Sequence, residues 1–138
     1  YTGDDFNYMD LIEGDGKKHS DALLGIFIAI APAVSPALEA LARGKIEKYR
    51  NIPEPTVPLS RETFKKPTQN YKAGITFLAW LNGKQSHFSM LGGMQSSREL
   101  NHYAEIFRLA DKSNLLAQPD IAVSRMKSLL SVYGVEQN

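Results

Sequence analysis

The chain has 138 residues, 43% hydrophobic and 22% charged, which is the composition of one globular domain rather than a disordered segment. Sixteen basic against fifteen acidic residues leave a net charge of +1, so no overall field draws it to nucleic acid or an anionic membrane. The absence of cysteine excludes disulfides, thiol chemistry and cysteine-ligated zinc, and fits a reducing, cytoplasmic setting.

The chain opens at Tyr1, with neither an initiator Met nor a signal peptide, and is therefore expected to be a piece of a longer protein. Asp4, Asp5, Asp10, Glu13 and Asp15 then put five carboxylates into twelve residues. Such groups suit oxygen-ligated cations, but their spacing is not that of an EF-hand loop, and a solvated loop at a sheet edge is the plainer reading. From Ala22 to Leu38 no charge occurs over 17 residues. A membrane helix needs about 20 apolar residues, and Pro32, Ser35 and Pro36 interrupt this run, so no membrane span is expected. The run divides instead into a strand over Ala22 to Ile28, apolar on both faces as in a buried parallel sheet, and a helix. Ser35 caps that helix, Pro36 takes its first position, Arg43 lies in its last turn and Gly44 ends it.

Short helical turns follow over Lys45 to Asn51 and Ser60 to Lys66, set off by Pro53, Pro55, Pro58 and Pro67. Residues 70–90 are ambiguous. Asn82-Gly83 is a strong hairpin signal, yet Ile75 to Leu81 is apolar all round, as in a buried helix closed by Asn-Gly. Ser96 and Glu99 form a capping box opening a helix to about Asp111, with Leu100, Tyr103, Phe107 and Ala110 as its apolar stripe. Pro119 and Asp120 start a last helix, and Gly134 stops it.

Few residues declare chemistry by themselves. His19, His87 and His102 are too scattered to pair on a metal, and solvated or helix-surface histidine is the plain reading. Gly92-Gly93 could present backbone N–H groups to an anion, or simply form the turn before a helix. Lys72 has apolar neighbours, as an imine-forming lysine does, but a snorkelling side chain near a helix start explains it equally. No nucleophile elbow, P-loop or dinucleotide fingerprint is present, and the basic residues form no stripe interleaved with aromatics, so no nucleic-acid partner is expected.

Gly3-Asp4-Asp5, then Ala22-Leu23-Leu24-Gly25, then Ala31-Pro32 opening a helix that ends at Gly44, together resemble the end of the dihydrodipicolinate synthase / N-acetylneuraminate lyase family. Its PLSR, FLAWLNG, HFSMLGG and GDD segments are similar to those of a bacterial dihydrodipicolinate-synthase-like subgroup. The resemblance implies an α/β parent and makes this chain the C-terminal part of a (β/α)8 TIM barrel, itself mostly α-helical with one buried strand near residues 22–28. Residues 1–44 would be the last strand–helix units, and 45–138 a helical region packed on the barrel. Gly3, Asp4, Asp5, Leu24 and Gly25 would border the bound substrate. Lys72 matches a helical lysine of the family that is not catalytic, whereas the family's imine-forming lysine and proton-relay tyrosine precede this segment.

The implied function is that of an aldolase-type carbon–carbon lyase or synthase acting on a 2-keto acid such as pyruvate. No catalytic residue, metal or cofactor is expected in this chain, which alone would be inactive. The missing barrel half and further copies of the chain are the implied protein partners. Without its neighbours, the segment from Ala22 to Ile28 would be either covered by the rest of the protein or rearranged into another packing. The competing reading is a small helical module that binds a partner or ligand through an apolar face such as Leu100, Tyr103 and Phe107. A barrel that has lost its activity is a third.

Overall fold

Apolar residues at 26, 30, 33, 34, 37 and 40 recur at helical spacing, and they set the longest element of the chain. The structure, a computed structural model, describes residues 1–135. The chain divides into two compact units, Tyr1–Arg61 and a second from Glu62 onward. The first holds α1 (Tyr8–Glu13), α2 (Phe27–Ala42), α3 (Ile46–Asn51) and most of α4 (Val57–Thr63). The second holds α5 (Tyr71–Leu81), α6 (Leu100–Lys112) and α7 (Pro119–Val132), with 3-10 turns before α5 and α6.

The mostly helical expectation agrees with this architecture, but the buried strand and the TIM-barrel fragment built on it do not. Among the described residues the only β pairing is a single parallel bridge between Thr2 and Ala22, and there is no sheet. A strand is stabilised by the ladder on its edges. With one bridging residue beside it, the segment leaves Leu23 83% exposed and turns helical at Phe27, where Ile28 is 76% exposed. An uncharged run that is apolar all round is compatible with either element, and here the 3.6-residue stripe decides it.

The helix boundary moves with that correction. Ser35 and Pro36 do not open a helix; Pro32 and Pro36 both lie inside α2. Both are exposed, while Ile30, Ala33, Val34, Ala37 and Ala40 form the buried stripe. Each proline deletes a hydrogen bond to the carbonyl four residues earlier, on a face where water can replace it. Gly44 does end the helix, in the left-handed conformation (φ 71°), with its N–H on Leu41 O at 2.9 Å and Lys45 N–H on Ala40 O at 2.9 Å. That pair of bonds is a Schellman closure, which a side chain at φ > 0 would strain.

In the second unit the same motif settles the ambiguity at 70–90. Gly83 (φ 70°) donates to Trp80 O at 2.9 Å and Lys84 N–H to Ala79 O at 2.9 Å, so Asn82-Gly83 closes helix α5 and turns no hairpin. Phe77 on α5 packs its ring against Phe88 and Tyr103, with centroids 5.3 and 4.8 Å away. The capping box at Ser96 does not form: the N-cap of α6 is Glu99, with no side-chain cap, and the buried face is His102, Tyr103, Ile106 and Ala110. Among the described residues, no helix is long and apolar enough to cross a membrane.

Pro32→Ala restores a donor inside α2 at an exposed position and is expected to stabilise the chain by about 2 kcal/mol, less what the unfolded chain gains in freedom. Urea unfolding followed by circular dichroism checks this. An unchanged midpoint for both Pro32→Ala and Pro36→Ala would mean that the helix begins after them.

Candidate functional site

In the first unit, two short stretches some twenty residues apart are held side by side by backbone hydrogen bonds and one carboxyl. Thr2 N–H donates to Asp21 O at 2.8 Å, and Leu23 N–H donates to Thr2 O at 3.0 Å. One step further on, Ile26 N–H donates to Asp5 Oδ1 at 3.1 Å. Gly3, Asp4 and Asp5 therefore lie alongside Leu24 and Gly25, and all five residues singled out from the sequence are brought together. Gly3 and Gly25 are exposed, and Leu24, Asp4 and Asp5 are half-buried, so the cluster forms an open wall. None of the hydrogen bonds among the described residues uses the N–H groups of Gly3, Leu24 or Gly25.

The two carboxyls of this wall are pushed in opposite directions. Asp4 accepts from the side chain and backbone N–H of Asn7 (2.9 Å each) and from Phe6 N–H (2.8 Å), bonds that favour the anion and lower its pKa. Burial raises that of Asp5; the Ile26 N–H bond opposes the shift and the Asp4 charge adds to it. Asp4 is thus the stronger acid of the two.

The remaining acids of the opening segment are drawn to separate structural tasks. Glu13 takes a two-point bond from Arg50 at 2.8 and 2.6 Å, and Asp15 Oδ1 caps the turn at Lys17 and Lys18 at 2.9 and 2.8 Å. Among the described residues, no three histidine, aspartate or glutamate side chains gather as they would for a metal ion. Lys72 is exposed on α5, as a solvated helix lysine is.

The second unit holds a polar centre that the sequence did not reveal. His102 of α6 is 1% exposed, with Nδ1 2.7 Å from Oε1 of Glu62 on α4. A Cβ at Gly74 of α5 would lie 2.7 Å from Ile106 Cδ1 but at an ordinary contact distance of 3.5 Å from His102 Nε2, so the glycine makes room for Ile106 beside the imidazole. Burial lowers the His102 pKa; the bond and charge of Glu62 oppose this without overcoming it, and Arg98 and Lys65 reinforce it. Burial likewise works against the Glu62 carboxylate, but hydrogen bonds from Lys65 (2.6 Å) and His102 outweigh it and hold the pKa below the usual range. The pair is thus a neutral imidazole donating to a carboxylate, and Nε2 stays buried without a partner.

A family profile described as "Protein of unknown function (DUF993)" matches residues 1–135. The chain belongs to the DUF993 family. A search among curated proteins finds no relative. In this DUF993 chain the two polar centres differ in how they could have been found. The wall at Gly3–Asp5 came from short motifs in order. His102 could have come from the α6 face itself, since 102, 106 and 110 share a register that a stripe drawn through Leu100 and Phe107 passes over.

The His102–Glu62 pair fixes the sign of the acid response. Unfolded, His102 titrates near 6.5; folded, it does so lower. Between those values the unfolded chain binds more protons, so stability falls as pH drops below about 6.5. Glu62 adds a second loss at lower pH, as the medium falls through its depressed folded value. His102→Gln is expected to remove the upper step and leave the lower one, as read by denaturant midpoints across pH. A wild-type midpoint that is flat between pH 7 and 5 contradicts this account.

Proposed function

We propose that the chain forms one wall of a keto-acid site in an aldolase-type carbon–carbon lyase or synthase, whose imine-forming lysine is supplied by sequence outside these residues. The observation that carries this reading is the parallel pairing of Thr2 with Ala22. It sets Gly3-Asp4-Asp5 beside Leu24-Gly25, the adjacency that the resemblance implies around a bound keto acid. Replacing the expected strand by a helix from Phe27 leaves that adjacency untouched.

The wall offers what a 2-keto acid needs from a surface that does not itself react. Unused N–H groups at Gly3, Leu24 and Gly25 suit a carboxylate, and the glycines let a ligand approach the backbone closely. Asp5, half-buried beside them, places a carboxyl at the rim. The lysine amine adds to the keto carbon and water leaves. The resulting iminium nitrogen then takes up the electron pair released when the carbon–carbon bond breaks, or returns it when the bond forms. Exposed Val132, Tyr133 and Val135 at the end of α7 and just after it support an accompanying contact between copies. The alternative of a docking face at Leu100, Tyr103 and Phe107 loses its central residue, because Tyr103 is fully buried and burial pushes its hydroxyl up to about 12.

Borohydride reduction of the natural full-length protein with pyruvate is expected to leave one reduced pyruvate imine on a lysine; no adduct overturns the proposal. Gly3→Val tests the wall. A Cβ there meets no atom within 4 Å, so the fold should hold while the half-saturating pyruvate concentration rises by roughly tenfold.

A further inference from the structure

Beside His102, and apart from the keto-acid wall, α6 begins over a small cavity of about 160 Å³ lined by Lys65, Lys66, Pro67, Ser97, Arg98, Glu99 and His102. Its polar lining is rich in donors. Arg98 is 7% exposed and anchored by its terminal nitrogens on the carbonyls of Lys65, Lys66 and Pro67, at 2.8, 3.2 and 3.0 Å. That leaves Arg98 Nε buried with no acceptor, and Ser97 Oγ is buried without a partner as well. No side chain caps the 13-residue α6, so its first N–H groups, at Leu100 and Asn101, also await acceptors. Buried donors left unmatched are costly, and two of them, the Ser97 hydroxyl and Arg98 Nε, belong to residues lining this cavity, with the α6 amides next to it; together they indicate an acceptor that belongs there.

We propose that this cavity binds a small oxyanion of the phosphate type, as free phosphate or as the phosphoryl group of a small metabolite. Lys66 is exposed at the mouth, and the Arg98 guanidinium and the positive end of α6 lie behind it; all three favour negative charge. Lys65 is already paired with Glu62, and Glu99 is one adverse charge on the rim. The ligand accepts from Ser97 Oγ, Arg98 Nε and the Leu100 and Asn101 amides. Binding therefore ties the residue 65–67 turn to the start of α6.

The test is a titration of the whole chain with inorganic phosphate, with a phosphomonoester such as glycerol phosphate and with acetate, read by amide shifts in nuclear magnetic resonance. Saturable shifts centred on Leu100 and Asn101 are expected, weakened roughly tenfold by Ser97→Ala. Lys66→Gln should weaken them too, and Glu99→Gln should strengthen them. Lys66 and Glu99 are exposed, so these two variants report on binding without a cost to folding. Tighter phosphate than phosphomonoester marks free phosphate as the ligand, and the reverse order marks a phosphorylated metabolite. No saturable response to either, tighter binding of acetate, or shifts unaffected by all three variants would overturn the assignment.

Discussion

Gly74 lets α5 and α6 pack closely at Ile106 without displacing that side chain. An added Cβ would sit 2.7 Å from Ile106 Cδ1 and 3.4 Å from Thr63 Cγ2, inside or at the limit of contact distance. The close approach it permits has consequences along both helices. One turn further along α5, Phe77 comes within ring contact of Tyr103. Also close to Gly74, the His102 side chain is pressed out of water and bonds to Glu62. The neutrality of that histidine follows from packing: desolvation exceeds what one carboxylate returns. Arg98, two residues before the helix, is then held against three carbonyls.

The first unit is organised differently, by backbone pairing and short polar bonds. Two amide bonds join Thr2 to residues 21 and 23, and carboxylates finish what they begin: Asp4 winds the turn into α1, while Asp5 holds Ile26 at the entry to α2. The tyrosines make the longer links. Tyr8 reaches Thr56 at 2.8 Å and Tyr49 reaches the Met9 carbonyl at 2.8 Å, so α1 is tied at both of its faces by hydroxyls arriving from or going to residues about forty positions away. Four of the five acids of the opening segment, Asp4, Asp5, Glu13 and Asp15, thus hold local structure together.

What the sequence made legible is local in origin. Gly44 marks a helix end because a left-handed residue is a property of a few neighbouring atoms, whereas Asn82-Gly83 suits a hairpin and a helix end equally until its packing is seen. The Gly3–Asp5 and Leu24–Gly25 segments were legible as motifs, although their pairing had to be seen. The strand at Ala22 to Ile28 was misread because an apolar run carries no mark of which partner will cover it. The Glu62–His102 contact was invisible for a related reason: it joins residues forty positions apart, and neither its burial nor its charge state is written in the flanking sequence.

Pro32 and Pro36 are four residues apart, which in a helix places them on one column of hydrogen bonds. The donor missing at Pro36 is the one that would have served the carbonyl of Pro32, and the donor missing at Pro32 would have served Ile28. Two successive rungs are thus absent from a single file of the ladder, while the files facing the core are complete. α2 therefore carries a seam of missing backbone bonds along its solvent-facing side, away from the buried stripe. Bending should be easy in that one direction and resisted in the others. The helix that supports the Leu24–Gly25 segment is rigid toward its core and compliant toward solvent.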